Sequence, residues 1–181
     1  MIARKPTSST PVTIQPDPRG GFHLHTQMTI DLPRETVFEF FADAMQLERI
    51  TPPWLHFSVL TPQPIEIQEG SLLDYRIRLH GIPIKWRTEI SLWHAPYCFV
   101  DQQLKGPYRK WHHKHTFEQI ESDFGLQTIV HDDVHYIPPM GSLVNRWFVQ
   151  PDLEKIFAYR QETLAQIFDE KIANRRVAVE V

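Results

Sequence analysis

The 181-residue chain has only one cysteine, Cys98. A lone thiol cannot form an internal disulfide and lacks the paired spacing of a structural zinc site, so neither device braces the fold; a reducing cytoplasm fits. Nothing next to Cys98 in the sequence argues for a lowered thiol pKa, and it reads as structural or incidental. The chain also lacks an excess of positive charge. Its 19 basic and 22 acidic residues leave a net charge of −3 with neutral histidine, too little cationic field to dominate phosphate-backbone binding, so nucleic acid is excluded as a partner. No apolar run reaches the roughly 20 residues a membrane span needs. The opening MIARKPTSSTPVTIQPDPRGG has no apolar h-region before its prolines, and the expectation is a soluble, unexported, cytoplasmic protein. Also missing are a Gly-x-Ser-x-Gly elbow, a phosphate loop, a Rossmann fingerprint and any internal repeat.

What remains is long enough for one domain with a sizeable core. Residues 1–21, rich in Pro, Ser, Thr and Gly, read as a flexible N-terminal extension that could also pack as an extended arm. The domain is expected over 22–173, followed by a tail at 174–181. Leu24, Thr26, Met28 and Ile30 alternate with His23, His25, Gln27 and Thr29 in a first strand. Pro33 suits a first helical position, Glu35 suits the positive end of the helix, and Val37, Phe38, Phe40, Phe41 and Met45 form its apolar face. Ala42-Asp43 divides this stretch into two short helices, and Pro52-Pro53 ends the second.

Strand-like stretches follow at 57–60, 72–80, 84–93, 99–104, 109–120 and 126–137, with short breaks that make them antiparallel neighbours. The last segment returns to helical spacing, with Leu153, Ile156, Phe157, Leu164, Ile167 and Phe168 on one face; Pro151 is expected to separate a short helix from a long one. The outcome is an α+β fold in which a curved antiparallel sheet of about seven strands wraps a long C-terminal helix. One helix cannot fill a wide curved sheet, and the remainder is a cavity suited to apolar ligands.

Several strings carry a family resemblance: PRETVFEFF at 33–41, ITPPW with Phe57, WRTEI at 86–90, FVDQQLKGPYRKWHHKHTF, HDDVHYIPPMG and IFAYR. Together, over about residues 22–168, they resemble the START-like or SRPBCC superfamily, the birch-pollen-allergen fold. Within it they look like a standalone ligand-binding branch whose relatives can be fused to sugar-nucleotide epimerase-like domains. The resemblance implies a helix-grip fold and a pocket, and some members of the superfamily cyclise or dehydrate polyketides.

The sequence HHKH at 112–115 is the strongest chemical signal. Strand alternation puts Trp111, His113, His115 and Phe117 on one face and His112, Lys114 and Thr116 on the other. The aromatic set is assigned inward, so His113 and His115 enter the concave side. The same parity sends Val130, Asp132, Val134 and Tyr136 inward from the next strand, and Phe99, Asp101 and Gln103 from the preceding one. Arg160 lies on the helix one turn after Phe157. The expected cavity wall is Phe41, Trp54, Phe57, Tyr75, Ile77, Trp86, Trp111, Phe117, Val134, Tyr136, Phe148 and Phe157. Asp101, His113, His115 and Asp132 would select a ligand's polar end, with Arg160 neutralising the acids or meeting an anionic group.

Three readings of that cluster compete. The first is a satisfied polar lining in a protein that binds a hydrophobic or amphipathic small molecule without covalent chemistry. The second is an enzyme of cyclase or dehydratase type, with His113 or His115 as general acid or base and Asp132 or Asp101 orienting it. The third is a metal site, because His-x-His plus a carboxylate can supply an open iron or zinc centre. Gly106, His113, His115 and Glu118 loosely resemble the first cupin motif, but Glu118 has the wrong parity, no second motif follows, and a long terminal helix is foreign to a cupin. Binding is favoured over catalysis, and no metal and no cofactor are expected. Histidines titrating near about 6.5 would make binding change across mildly acidic pH. A protein-interaction module would instead expose a large apolar patch, and a homodimer is left open. His23, His25, Arg146, Arg175 and Arg176 read as solvated surface.

Overall fold

The computed structural model describes residues 7–123 and 125–179. Nine strands form one antiparallel sheet: β1 (Thr7–Ser9), β2 (Thr13–Pro16), β3 (Phe22–Ile30), β4 (Ser58–Val59), β5 (Leu72–Leu79), β6 (Ile82–His94), β7 (Cys98–Lys105), β8 (Lys110–Ser122) and β9 (Gly125–Ile137). Their spatial order is β1-β3-β9-β8-β7-β6-β5-β4, with β2 also on β3. Helices α1 (Arg34–Phe41) and α2 (Gln46–Ile50) follow β3, and α3 (Ser142–Val144) leads through a π-helical step (Asn145–Val149) into the long α4 (Gln150–Val179). This is the α+β helix-grip arrangement. Among the described residues no helix is long and apolar enough to cross a membrane.

The seven expected strands are all present, and the two additional ones come from the segment expected as a flexible extension. Thr7 to Ser9 pair with Ile30 to Met28, and Thr13 to Pro16 pair with His25 to Phe22. The arm is also tied to α4: Thr7 donates to Asp169, and Gln161 Nε2 donates to the Thr10 carbonyl at 3.0 Å. Backbone pairing and these side-chain bonds satisfy a β3 edge that would otherwise face water. Residues 1–6 of the extension lie outside the described residues. The expected tail also needs correction, because α4 continues through Val179 instead of ending at 173.

Local chemistry explains most boundaries. Pro33 is the N-cap residue of α1 instead of its first helical residue. Asp43 makes the break before α2, accepting from the Met45 amide at 2.9 Å and the Gln46 side chain at 2.8 Å. The β5–β6 turn is His80-Gly81, with φ of 50° and 83°, the two-positive-φ geometry that matches strand twist. Ile82 and Pro83, expected in that turn, instead begin β6. A bulge between Ile90 and Leu92 flips the face of β6, so Leu92 is exposed while Trp93 turns inward.

Two apolar clusters bracket the middle of β8. One gathers Ile30, Phe38, Phe117, Leu164 and Phe168. The other gathers Leu24, Trp111, Val134, Tyr136, Leu153 and Phe157. The alternating β8 sequence thus runs from aromatic core, across His113 and His115, into aromatic core again. Deleting residues 1–16 should lower the thermal midpoint by about 5 °C or more, at roughly 2–4 °C per kcal/mol for a chain of this size. A scanning calorimetry trace with an unchanged midpoint would restore the mobile-arm reading.

Candidate functional site

Register brings the polar groups together. On one rung Asp101 of β7 pairs with His113 of β8, and His113 pairs with Val134 of β9. On the next rung Phe99 pairs with His115, and His115 with Asp132. All these side chains project to the same side of the sheet, so the two carboxylates lie diagonally across two adjacent imidazoles. The imidazole centroids are 3.8 Å apart.

Each ring touches both acids. His113 Nε2 donates to Asp132 Oδ1 at 2.8 Å, and His113 Nδ1 is 3.3 Å from Asp101 Oδ2. His115 Nε2 donates to Asp101 Oδ2 at 3.3 Å. His115 Nδ1 stands 2.7 Å from Asp132 Oδ1 but off the hydrogen-bonding direction, and it is buried without a hydrogen-bond partner. His113 and His115 are 4% and 5% exposed, so these charges interact with little screening.

Burial by itself would push the His113 pKa down, but the carboxylates of Asp101 and Asp132 overcome it and hold the ring protonated to about 9. Burial likewise opposes ionisation of Asp101 and Asp132, yet the two imidazoles keep both acids well below the usual carboxylate range. The expectation of a mildly acidic His113 titration is therefore corrected: His113 is cationic throughout that range.

The quartet borders a cavity of about 170 Å³ between the sheet, α1–α2 and α4. Of the expected wall, Phe41, Phe57, Tyr75, Ile77, Trp86, Trp111 and Phe157 line it, as do Asp101, His113, His115 and Arg160. Six expected residues do not. Asp132 stands behind the two imidazoles. Phe117, Val134 and Tyr136 share the inward face but are taken up by the packed clusters at 1%, 0% and 0% exposure. Trp54 is on the exterior, edge-on to Tyr159 at 5.3 Å. Phe148 is exposed: nine residues before Phe157, it falls on the opposite side of an ordinary helix, and the π-helical step at Asn145–Val149 does not bring it inward. That step buries Asn145 instead, whose Oδ1 accepts from Tyr136 Oη at 2.9 Å.

Several lining residues went unassigned. Leu73 and Leu79 share the parity of Tyr75, and Thr88 and Ile90 share that of Trp86, so extending the alternation would have found them. Thr88 is the polar hub of that wall, accepting from Tyr75 Oη at 2.5 Å and Trp86 Nε1 at 3.0 Å. Ile67 comes from an irregular segment that carries no periodic signal. The exposed Asp43 also borders the cavity, so the space reaches the surface beside the α1–α2 break. Outside, His23 Nε2 and His25 Nδ1 each lie 3.0 Å from Asp133, a solvent-facing counterpart of the buried cluster.

A curved sheet gripping one long helix, with a partly apolar cavity between them, defines a START-like helix-grip protein. The profile of the family described as "Polyketide cyclase / dehydrase and lipid transport" matches residues 30–164, and the chain belongs to that family. Among solved structures, a protein from Arthrobacter aurescens is 15% identical with a TM-score of 0.66, covering 89% of this chain and 93% of its own. A Mycobacterium smegmatis protein is 16% identical with a TM-score of 0.60, covering 89% and 99%. The Zhui aromatase/cyclase of a Streptomyces species is 18% identical with a TM-score of 0.53, covering 86% and 94%. At these identities the likeness is one of fold. No curated protein matches the chain in sequence.

The buried cluster should be far less tolerant than its exposed counterpart. Asp132→Ala removes the hydrogen-bonded counter-charge of the buried His113 and should cost about 3–5 kcal/mol. Asp133→Ala should cost about 0–1 kcal/mol, and His113→Ala should likewise exceed His112→Ala. Equal losses for the inner and outer members in urea titrations would overturn the quartet. In chelator-treated protein, the His113 ring resonance should show no titration step between about pH 5.5 and 8 by NMR.

Proposed function

We propose that the chain binds a hydrophobic or amphipathic small molecule non-covalently in the cavity between the sheet and α4. The observation that supports this best is the composition of the wall: aromatic and aliphatic side chains enclose the space, while His113, His115, Asp101 and Arg160 border it with polar groups. No carboxylate lies within ion-pair distance of Arg160 among the described residues, and its guanidinium stands 5.5 Å from the Phe157 ring centre. An anionic head group on the ligand would supply that missing charge.

Volume narrows the guest. The cavity, about 170 Å³, slightly exceeds the ~150 Å³ engineered apolar cavity that accepts benzene. It falls below the ~300–1,000 Å³ typical of drug-sized ligands. A compact acid with one or two rings fits, or the head of a longer chain emerging beside Asp43. The finer placement, in the standalone branch related to epimerase-fused domains, rests on the sequence strings alone.

A cyclase or dehydratase is the second reading, favoured by the two imidazoles on the cavity wall. The engagement of His113 argues against that residue as the base. A general base needs a free lone pair at working pH, whereas His113 faces a carboxylate at both nitrogens and is held protonated to about 9. Turnover of a polyketide substrate that is lost in His113→Gln while the fold persists would reverse the order of these readings.

Trp86 and Trp111 on the wall provide an intrinsic fluorescence reporter. Wild-type protein should bind a naphthalene carboxylate saturably. Ile77→Phe should weaken that binding by at least about tenfold with the thermal midpoint held. Arg160→Met should weaken the carboxylate but leave neutral naphthalene unchanged. Native mass spectrometry of untagged protein should reveal a co-purified small molecule; absence of both saturable binding and such a molecule would sink the proposal.

A further inference from the structure

We propose that the cavity-facing atoms of Asp101, His113 and His115 form a site for a divalent cation of the zinc class, with Asp132 behind the two imidazoles and hydrogen-bonded to His113. One ligand atom from each of the first three residues lies within 4.8 Å of the others, and all three residues line the cavity while Asp132 does not. The inference deepens the ligand reading, since a cation here would meet the guest's polar end, but its binding requires no organic ligand.

The two sides of the quartet differ in distance. Behind the rings, His113 Nε2 donates to Asp132 Oδ1 at 2.8 Å, within the ~2.7–2.9 Å of charge-assisted hydrogen bonds, while His115 Nδ1 lies 2.7 Å from the same oxygen but out of line for such a bond. On the cavity side, His113 Nδ1 and His115 Nε2 both lie 3.3 Å from Asp101 Oδ2. That is long for such a bond. It matches a tetrahedron edge, which is roughly 3.3–3.4 Å for metal–ligand bonds of about 2.0–2.1 Å. Two of the three edges of a ligand face are therefore in tetrahedral range, and the His113–His115 edge lies within 4.8 Å.

Asp132 then takes the usual place of a carboxylate that orients metal-bound imidazoles through their other nitrogens. Its Oδ1 is hydrogen-bonded to His113 Nε2 and lies beside His115 Nδ1, which a small turn of the ring would bring into line. Charge agrees once the cation displaces the His113 proton to solvent: two carboxylates with two neutral imidazoles then balance one divalent cation in an apolar surround. The fourth position points into the cavity, where a water or an oxygen of the guest would complete the shell.

The test uses full-length protein without a histidine tag, stripped with a chelator and dialysed against Zn²⁺ alone. Wild-type protein and a His23→Ala/His25→Ala control for the outer face should each retain about one equivalent. Asp101→Asn and His115→Gln should retain almost none, and Asp132→Asn should weaken affinity by about 10–100-fold. Co²⁺ added to wild-type protein should give the intense visible bands of four-coordinate cobalt, a readout that does not depend on any variant folding. Retention below about a tenth of an equivalent, full retention in both ligand variants, loss in the outer-face control, or a pale six-coordinate cobalt spectrum would each overturn the site. Zinc retention without naphthalene carboxylate binding would sink the ligand reading and leave the cation; binding without zinc would do the reverse.

Discussion

The centre of this structure depends on a constraint of low dielectric: charge placed among aromatic side chains must be neutralised within a few ångströms. Two imidazoles and two carboxylates meet it on three neighbouring strands, β7, β8 and β9. Their contacts hold only if Asp101 faces His113 and Asp132 faces His115. A one-residue slip of any of these strands would put a charged group on the wrong face and leave its partner alone. The cluster therefore specifies register as well as lining a wall, and its mutual pairing lets it sit between two hydrophobic clusters.

The cavity follows from how little of the remaining wall can close. Phe117, Val134 and Tyr136 fill the space on β8 and β9 on either side of the quartet. Across the sheet, Tyr75 and Trp86 are held by hydrogen bonds to the buried Thr88 hydroxyl, which fixes their rings instead of letting them collapse inward. The bulge after Ile90 carries Trp93 into the Phe38 and Phe99 cluster. Aromatic mass is thus diverted to one end, and open space is left in front of the polar groups.

Much of this was legible in strand parity. The inward placement of His113, His115, Asp101, Tyr75 and Ile77 needs only period-two alternation and the presence of aromatics on the same face. Parity assigns a face, however, and cannot tell a wall from solid packing, which is why Phe117 and Tyr136 were expected at the cavity. Phe148 failed for another reason: it lies nine residues before Phe157, half a turn out of phase with the buried stripe of α4, which the helical period alone would have shown. The N-terminal arm was legible only as one of two options, because its prolines and threonines read as mobile when taken alone. Its order comes from β3 and α4, partners distant in sequence.

The arm has a second effect on how copies of the chain meet. A large antiparallel sheet invites intermolecular strand addition wherever a long outer strand is left open. Here one border ends in the short β1 and β2, the latter closing with Pro16, and the other ends in the two-residue β4. Among the described residues neither border offers more than a few consecutive backbone groups to a neighbour, and the brevity of the outermost strands disfavours edge-to-edge fibril growth.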